Sequence, residues 1–411
     1  MKILCLEDGF PPELASGRLP YEFARELVKR GHKVRVVTVF PRKLWVKQQL
    51  TIPKAKLFYW DPMGGILTLR CWPQFKGKSI ITRAVEYIIL PLSLLLGGII
   101  AGGKDIIHCQ SPPLLLAFSA CILKILTRAP LILRIQDIHP DALVKTGLIK
   151  NRFLIKALEI IEKFVYRYAD HITVIAEGYR RNILSKGINS EKVSLIPNWA
   201  DVERIESSPK IEEFFINNSL TDKFVITYAG TMSWPQDLET VIEAARLLKG
   251  YKDISFLLVG EGVKKELLIV RSKELKLENV MFMPLQPRDV YFNILRISDA
   301  CLVPLRKSYD SPTAPSKMLE IMACSKPIIA NVPYNSDVHK IISEAGCGIW
   351  VEPENPEALS QAVLKLYEDR SIAIQLGARG REFVEKHFSL TACMDKYEAL
   401  LNSLLTKRIR S

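Results

Sequence analysis

The sequence predicts an α/β protein that contains two doubly wound parallel sheets. Short, continuous apolar runs recur along the chain, and amphipathic helical patterns separate them. Strands that are apolar along their whole length are typical of sheets covered by helices on both faces. A polar, acidic, turn-rich stretch at 200–222 interrupts this rhythm near the middle of the 411 residues. The chain is therefore long enough for two domains of similar size, one on each side of that stretch.

The apolar runs give the strands, and the periodicity of 3.6 gives the helices. The predicted strands are 2–6, 33–39, 105–109, 131–135, 171–175, 224–229, 254–259, 280–283, 299–303 and 327–330. Helices are predicted at 19–30, 152–168, 236–249, 263–275 and 355–369. We expect domains at 1–200 and 223–387, a linker at 201–222, and a C-terminal helix at 388–411 that packs toward the first domain. Doubly wound sheets bind ligands beyond the carboxyl ends of their strands, so two facing domains imply a cleft.

One segment, residues 87–103, has 17 positions without a charge. A membrane span needs about 20 apolar residues, and Pro91 and two Gly-Gly pairs weaken this one. A buried core helix is favoured, and a helix lying in the membrane plane or a true span are the alternatives. The basic residues just upstream suit either membrane docking or a solvated loop.

The charge of the chain is unevenly distributed. The formal net charge is +13, but residues 1–200 hold 30 Lys and Arg against 15 Asp and Glu, and residues 201–411 hold 27 against 29. Such asymmetry indicates that the first half faces phosphates, either of nucleic acid or of anionic lipid. The basic residues are dispersed and no nucleic-acid-binding motif is present, so an anionic membrane surface is the expected partner and nucleic acid is not.

The N-terminal residues and the cysteine pattern indicate the cellular compartment in which the protein is expected. Acidic residues interrupt the first apolar run after Leu6, so we expect a first strand rather than a secretory signal, and a cytoplasmic protein. The eight cysteines are scattered, with no C-x-x-C pair, which favours reduced, buried thiols over a metal or redox site.

Two segments of the first half place polar groups where strands end. The first strand leads into a loop containing Gly9 and Gly17, where a backbone could approach a ligand and the next helix could offer amides to an anion. A plain strand–helix connection explains this loop equally well. After the strand 131–135, Asp137, His139 and Asp141 cluster, and a histidine beside carboxylates suits acid–base chemistry. The alternative is a helix cap and a surface histidine.

The second half carries the strongest local signal. Ser316 and Lys317 follow Pro315 at a helix start, where amides and the helix dipole attract an anion. Glu320 projects from nearly the same face and could accept hydrogen bonds from a ribose. A phosphate at the helix end with a sugar one turn along is a nucleotide-diphosphate geometry. The two strand-end glycine turns at Gly230 and Gly262 fit the same site, although tight βα turns alone would explain them.

Together these segments resemble glycosyltransferase family 4, a retaining group with the GT-B architecture of two Rossmann-like domains. Phe10-Pro11-Pro12-Glu13 with the later Arg30-Gly31-His32 resembles the family's "FPPE…RGHxV" start. Further matches are Ser111-Pro112-Pro113 with 136–141 to "SPP…RDLWPE", Ile196-Pro197-Asn198 to "IPNG", and 315–323 to "PxKxxEyMA". The order and spacing of these motifs carry the resemblance, which covers nearly the whole chain and points to the bacterial polysaccharide and lipid-linked-sugar subgroup.

The resemblance implies a nucleotide-sugar donor, most often a UDP-sugar, and transfer with retention of configuration. It implies a lipid-linked or glycan acceptor and an enzyme peripheral to the inner face of the plasma membrane. No D-x-D motif occurs, so we expect neither a metal nor another cofactor, and helix dipoles and cations stabilise the leaving diphosphate instead. The implied donor-binding residues are Gly17, Gly230, Gly262, Leu285, Arg288, Ser316, Lys317 and Glu320, the acceptor-side residues are Glu13, Ser16 and Asp141, and the catalytic candidates are Asp137 and His139.

Three motifs depart from the family pattern. The first glutamate of the family's E-x7-E motif falls on Pro312, and its basic pair falls on Thr231 and Asp237. The subgroup's Arg-Asp-Leu-Trp-Pro is Gln136-Asp137-Ile138-His139-Pro140 here. Two other functions stay open beside transfer to a membrane-associated acceptor: a nucleotide-sugar 2-epimerase, and a non-catalytic partner that binds a nucleotide sugar or lipid.

Overall fold

The computed structural model describes residues 1–11, 14–41, 56–72, 80–145, 147–207, 220–308 and 316–410. The chain forms two compact units, Met1–Pro197 with Met394–Ser411, and Asn198–Cys393. Each unit contains one sheet with helices packed around it. The predicted fold class of two doubly wound parallel-sheet domains is therefore confirmed.

The first unit contains an eight-stranded sheet with the strand order β3-β4-β2-β1-β5-β6-β7-β8. All neighbours are parallel except β3 and β4, which form an antiparallel hairpin. The strands are β1 (Lys2–Leu6), β2 (Lys33–Val39), β3 (Phe58–Met63), β4 (Ile66–Cys71), β5 (Ile106–Ser111), β6 (Leu131–Ile135), β7 (His171–Val174) and β8 (Val193–Leu195). The helices are α1 (Leu14–Lys29), α2 (Ile80–Ile100), α3 (Leu114–Thr127), α4 (Asp141–Lys145), α5 (Arg152–Tyr168) and α6 (Glu177–Ser185), with a 3₁₀ turn at Ser190–Lys192.

The second unit contains a six-stranded parallel sheet with the order β11-β10-β9-β12-β13-β14. Its strands are β9 (Phe224–Ala229), β10 (Ile254–Val259), β11 (Val280–Met283), β12 (Ala300–Leu302), β13 (Ile328–Asn331) and β14 (Gly348–Val351). Its helices are α7 (Val202–Ser207), α8 (Leu238–Leu247), α9 (Lys265–Glu274), α10 (Arg288–Ile297), α11 (Ser316–Ala323), α12 (Asp337–Ala345), α13 (Pro356–Glu368) and α14 (Arg370–Phe388). Of the predicted linker 201–222, the first residues form α7 inside this unit, and 208–219 lie outside the described residues.

The central strands of the second sheet show why continuous apolar runs form here. Val225 and Ala229 of β9 enter one buried cluster, and the alternate residues Phe224, Ile226 and Tyr228 enter another. Side chains of a strand alternate between the two faces of its sheet, so both faces of β9 lie in a core. A strand whose two faces both lie in a core is apolar along its whole length, and this pattern predicted β9 from the sequence.

The first sheet has one apolar and one partly polar face. Leu4, Leu133 and their neighbours form the apolar core. The opposite face carries the buried polar residues His108, Arg134 and Thr173. The last helix, α15 (Leu390–Arg410), contacts this face, where its Tyr397 hydroxyl lies 3.1 Å from Thr173 Oγ1.

The contacts of α15 continue beyond that strand. Nη1 of Arg30 donates to Asp395 at 2.7 Å, and the ring nitrogen Nε2 of His32 lies 2.8 Å from Glu398 Oε2. The far end of the chain is thereby attached to the loop between α1 and β2.

The uncharged segment 87–103 belongs mainly to α2, and its two sides differ. Leu90 and Leu94 are buried, and a Cβ on Gly97 would overlap the side chains of Val37 and Cys71. The outer side exposes a stripe at Leu92, Leu96, Ile99 and Ile100. Helix α2 therefore packs against the core on one side and exposes its other side. Across the described ranges, none of the helices combines the length and apolarity that crossing a bilayer requires. All eight cysteines are buried.

Candidate functional site

The carboxyl edge of the second sheet collects most of the predicted donor-binding residues. Loops after β9 and β10 meet there, with the Met232 amide donating to Glu261 O at 2.9 Å. A Cβ on Gly262 would overlap the carbonyl oxygen of Met232, and one on Gly260 would overlap that of Gly230. These glycines allow two backbones to approach each other, and ligand contact by Gly230 and Gly262 stays a prediction.

Lys317 lies in the first turn of α11, and its ammonium reaches back to β9. Its Nζ donates to the Tyr228 hydroxyl at 3.2 Å and lies 4.3 Å from the centre of that ring. A Cβ on Gly230 would be 3.3 Å from the same Nζ. Loss of hydration lowers the pKa of Lys317 to about 7. Within the described part of the chain, no carboxylate lies at ion-pair distance from Lys317. The arrangement holds a poorly hydrated cation at a helix N-terminus, where an anion would stabilise its charged form.

Glu320 lies one turn further along α11 and is buried. Its Oε1 accepts from Nη2 of Arg288 at 3.0 Å, and its Oε2 accepts from the Tyr291 hydroxyl at 2.9 Å. The Arg288 guanidinium also lies 4.6 Å from the Phe292 ring centre. Burial, followed by the Glu320 charge, raises the pKa of Tyr291 well above its usual value. The structure thus joins the two predicted residues Glu320 and Arg288 in one ion pair, and each oxygen keeps a lone pair for a hydroxyl donor.

The remaining donor candidates occupy the same edge. Leu285 follows β11 and is 73 % exposed, and Ser316 begins α11 with an exposed side chain. Pro312 lies outside the described residues. Asp237 is a buried structural residue, because its carboxylate accepts from Thr240 Oγ1, from Asn331 Nδ2 and from the Glu354 amide. The departure at Asp237 therefore has a packing explanation.

Sequence reasoning missed a depression beside this edge. A cavity of about 340 Å³ is lined by Trp234, Pro235, Arg306 and Ser308. The Trp234 ring is exposed, and the buried Lys264 ammonium lies 5.0 Å from its centre. Nη2 of Arg306 lies 2.9 Å from Glu239 Oε2. Tyr228 and Tyr291 were missed as well, although the spacing of Arg288 and Tyr291 places both on one face of α10.

The first unit places its candidates in separate contacts. Oδ1 of Asp137 accepts from the Ile138 amide at 2.9 Å and from the Tyr179 hydroxyl at 3.0 Å. Nδ1 of His139 is buried and has no hydrogen-bond partner among the described residues. Burial lowers the pKa of His139, and the Asp137 charge opposes that shift. His139 is therefore a neutral imidazole at pH 7, which could accept a proton or a hydrogen bond.

Asp141 belongs to a different network from its two predicted companions. Its Oδ2 accepts from Asn182 Nδ2 at 3.0 Å and from Lys186 Nζ at 3.1 Å. Lys186 also donates to the buried Glu162 at 2.6 Å. This network ties α4, α5 and α6 together, so Asp141 has a structural role beside its predicted acceptor-side role.

The loop after β1 is packed tightly. A Cβ on Gly17 would lie 2.6 Å from the carbonyl carbon of Phe10, so no larger residue fits without a shift. Glu13 lies outside the described residues, and of Ser16 only the backbone, in α1, is described. Ligand contacts at Gly17, Glu13 and Ser16 stay predictions.

One group of side chains in the described ranges could hold a metal ion. The ligand atoms of Cys5, Glu7 and His108 lie within 4.8 Å of one another, and all three residues are buried. Nδ1 of His108 lies 3.4 Å from Glu7 Oε1. Burial lowers the pKa of His108, and the Glu7 charge opposes that shift. The Glu7–His108 contact alone explains much of this arrangement.

Two doubly wound sheet units, one of them with a cation at a helix N-terminus beside a buried carboxylate, have the architecture of a GT-B glycosyltransferase. Residues 16–199 match the family "Glycosyl transferase 4-like domain", and residues 209–383 match "Glycosyl transferases group 1". The chain belongs to glycosyltransferase family 4, as the sequence motifs predicted.

Three known proteins illustrate the relationship. The "Putative colanic acid biosynthesis glycosyl transferase WcaI" of Escherichia coli is 27 % identical over 87 % of this chain and 90 % of its own. A Campylobacter jejuni N-acetylgalactosaminyltransferase, named for a diphospho-undecaprenol substrate, is 22 % identical over 54 % of this chain and 57 % of its own. The crystal structure of Anabaena HepE in complex with UDP superposes with a TM-score of 0.72, at 16 % identity, over 98 % of this chain and 100 % of that one.

Proposed function

We propose that this glycosyltransferase moves a hexosyl or N-acetylhexosaminyl group from a UDP-sugar to a membrane-associated glycolipid or polyprenyl-diphosphate-linked acceptor, in cell-surface polysaccharide synthesis. The surroundings of Lys317 are the observation that supports a nucleotide-sugar donor. Its ammonium is poorly hydrated and lies at the N-terminus of α11 without a carboxylate partner in the described ranges. A diphosphate would supply the missing negative charge.

The other donor contacts follow from the positions around Lys317. The amides of Ser316 and Lys317 would donate to the diphosphate, Glu320 would accept from the ribose hydroxyls, and Leu285 and Arg288 would face the base. Glu320 keeps its orientation through Arg288 and Tyr291. The relative HepE, crystallised with UDP, supports a UDP-linked donor.

We propose retention of the anomeric configuration and a leaving diphosphate stabilised by α11 and Lys317 rather than by a divalent ion. The sequence basis is the lack of a D-x-D motif. In the first unit, His139 would take the proton of the attacking acceptor hydroxyl as its oxygen bonds to the sugar, and Asp137 would stabilise the imidazolium that forms. The buried, unpartnered Nδ1 of His139 supports this assignment.

The acceptor half of the proposal rests on charge and on relatives. Residues 1–200 hold twice as many basic as acidic residues. Cations attract anionic lipid and the diphosphate of a polyprenyl carrier alike. The Campylobacter relative, named for a diphospho-undecaprenol substrate, supports an acceptor of this class. The enzyme would then work at the inner face of the plasma membrane.

A donor and acceptor screen tests this function. The protein is incubated with a panel of UDP-hexoses and UDP-N-acetylhexosamines and a short polyprenyl-diphosphate glycan, and both UDP release and product mass are measured. At a subsaturating donor concentration, Lys317→Met should lower UDP release because donor binding weakens, and Glu344→Ala, an exposed change on α12, should not. Absence of UDP and product across the panel would remove the proposal. Proton NMR of UDP-N-acetylglucosamine incubated alone would show epimer formation if the protein is a 2-epimerase.

A further inference from the structure

The link between α4 and α5, together with the first turn of α5, carries the two most exposed large apolar side chains in the described ranges. Phe153 is 88 % exposed and Leu148 is 75 % exposed. Leu154 and Val144 beside them are also exposed. A group of neighbouring exposed apolar side chains, unlike single scattered ones, marks an interaction surface. We call residues 144, 145 and 147–156 the α4–α5 tip.

Local structure holds these side chains outward. The Asn151 side chain caps α5 by accepting from the amides of Phe153 at 2.9 Å and Leu154 at 3.2 Å. Further along α5, Leu158 and Val165 are buried in the core, which fixes the inner face of the helix. Leu148 is held by its amide, which donates to Leu143 O at 3.0 Å. The exposure of Phe153 and Leu148 therefore follows from a capped helix and a bonded turn.

Charge indicates what kind of partner covers this tip. Between 142 and 158 the chain has four basic residues and no acidic one. Lys145, Lys150, Arg152 and Lys156 are all exposed. An apolar point surrounded by cations suits a bilayer with anionic lipid, because the apolar side chains enter the acyl boundary while the cations meet phosphates. A protein partner would have to supply both an apolar pocket and a ring of acids.

The topology places the α4–α5 tip at the carboxyl edge of the first sheet. Helix α5 leads into β7, so it runs against the strands and begins at the carboxyl edge of the sheet. Asp137 and His139 follow β6 at that same edge. A lipid-linked acceptor embedded in the bilayer would then be presented to the edge that carries the acid–base candidates.

We infer that the α4–α5 tip inserts Leu148 and Phe153 into the surface of an anionic bilayer. The inference deepens the proposed function and rests on it for the lipid nature of the acceptor. The apolar stripe of α2 at Leu92, Leu96 and Ile99 is the competing surface. Residues 87–100 of α2, which carry this stripe, have no charged side chain, whereas the α4–α5 tip has four cations around its apolar residues, so charge favours the tip for an anionic partner.

Vesicle co-sedimentation of the full chain tests the apolar contacts. Binding is compared on phosphatidylcholine vesicles with and without phosphatidylglycerol. The double variant Leu148→Ser/Phe153→Ser should reduce partitioning onto the anionic vesicles by about tenfold or more. Ile374→Ser, an equally exposed apolar residue of the second unit, should leave it unchanged. The thermal unfolding midpoint and UDP affinity of each variant establish that it is folded.

The charged residues are tested with the same vesicles. Lys150→Gln/Lys156→Gln should reduce binding to anionic vesicles by about tenfold to thirtyfold and leave the weak binding to neutral vesicles unchanged. Lys307→Gln, an exposed lysine of the second unit, is the matched control. Equal losses on both kinds of vesicle would contradict a role in recognising anionic headgroups.

Three outcomes would overturn the inference. They are wild-type protein that does not bind anionic vesicles, a Leu148→Ser/Phe153→Ser variant that binds like wild type, and a loss caused by Leu96→Ser/Ile99→Ser instead. Light scattering identifies a second copy as the occupant if the tip variant changes the oligomeric state. Sugar transfer to a detergent-dispersed acceptor is measured separately. Its absence in wild type would refute the proposed function while a tip-dependent vesicle interaction still stood.

Discussion

The two sheet edges differ in how they use their candidate residues. At the edge of the second sheet, Glu320, Arg288 and Tyr291 form one hydrogen-bonded group, and Lys317 reaches Tyr228. At the edge of the first sheet, Asp137 bonds to Tyr179, whereas Asp141 bonds to Lys186. The second unit holds a hydrogen-bonded group of candidate donor-binding residues, and the first holds a neutral histidine whose buried Nδ1 has no hydrogen-bond partner in the described ranges.

The difference follows from the elements that carry the residues. Helices α10 and α11 present side chains at spacings of three and four, which brings them together on one face. In the first unit, Asp137 and His139 lie in the irregular loop between β6 and α4, and Asp141 begins α4, so their side chains reach different partners. We therefore expect changes in the second unit to alter donor affinity and changes in the first unit to alter turnover.

The largest effect should come from the first unit. His139→Gln should lower kcat by about 10²- to 10⁴-fold, as expected for loss of an acid–base group, and leave UDP affinity unchanged. In the wild type, His139 is neutral above its ordinary pKa of 6.5, and its folded-state pKa is lower still because of burial. Turnover should therefore be flat above about pH 6.5 and fall on acidification through the lowered pKa. Steady-state kinetics against pH measures both effects.

His339→Gln in the second unit serves as the control for that experiment. A fall in UDP affinity instead of kcat on changing His139 would show that the two edges do not divide binding from turnover.

Glu320→Ala should weaken UDP binding by about 2–4 kcal/mol, because it removes the ribose acceptor and leaves Arg288 and Tyr291 without it. Isothermal titration calorimetry measures the change, with Glu344→Ala on α12 as a matched exposed control. Unchanged affinity in Glu320→Ala would mean that the ribose is held elsewhere.

The Lys317 ammonium should couple donor binding to protons. With a pKa of about 7, it is partly neutral in the free protein, and a bound diphosphate would raise that pKa. The Kd of UDP-glucose, whose diphosphate does not titrate here, should rise by up to about tenfold per pH unit above pH 7. Lys317→Met should bind weakly and lose this pH dependence.

The lowered pKa of Lys317 also predicts how the free energy of unfolding depends on pH. The sign of this dependence is opposite to that expected for an ion-paired lysine. The folded-state pKa of Lys317 lies below the unfolded value of 10.5, so the unfolded chain binds more protons between about pH 7 and 10.5. Its contribution to the free energy of unfolding therefore rises with pH across that window. A Lys317→Met variant whose stability follows the wild-type pH profile would contradict the lowered pKa.

The smallest effect should come from Tyr228→Phe. The hydroxyl accepts from Lys317 and donates to Thr231 O at 2.6 Å, so its loss frees the ammonium without removing charge. UDP affinity should fall by about threefold to tenfold. Tyr251→Phe, an exposed tyrosine of the same unit, provides the comparison. A loss as large as that of Lys317→Met would make Tyr228 a direct ligand rather than a positioning residue.

Much of the fold was predictable because strands that are buried on both faces appear in the sequence as continuous apolar runs. The apolar runs at 2–6, 33–39, 131–135, 224–229 and 254–259 coincide with β1, β2, β6, β9 and β10. The hairpin of β3 and β4 was missed, because Asp61 and Pro62 interrupt the apolar pattern of a strand at the sheet edge. Strand β14 was missed because it has only four residues, of which only Val351 is fully buried.

The site was predictable where one helix carries the chemistry. Ser316, Lys317 and Glu320 share α11, so spacing alone brought them together. The partners Tyr228 and Tyr291 and the cavity residue Arg306 come from other elements, and the three-dimensional arrangement of β9, α10 and the loop after β12 brings them to this edge. The exposure of Phe153 and Leu148 was also beyond the sequence, where both look like ordinary core residues.

Helix α15 has a consequence for the order in which the chain is completed during synthesis. Domains generally fold as units when they leave the ribosome, N-terminal first. Here Met394–Ser411 belong to the first unit, so residues 1–197 leave the ribosome before that unit is complete. The contacts of Thr173 with Tyr397, of Arg30 with Asp395 and of His32 with Glu398 can form only after α15 has been synthesised. The second unit has all its residues before the first one does. Translation must therefore reach the last helix before the earlier unit is whole, and a stop codon shortly before Met394 would damage the N-terminal half of the protein.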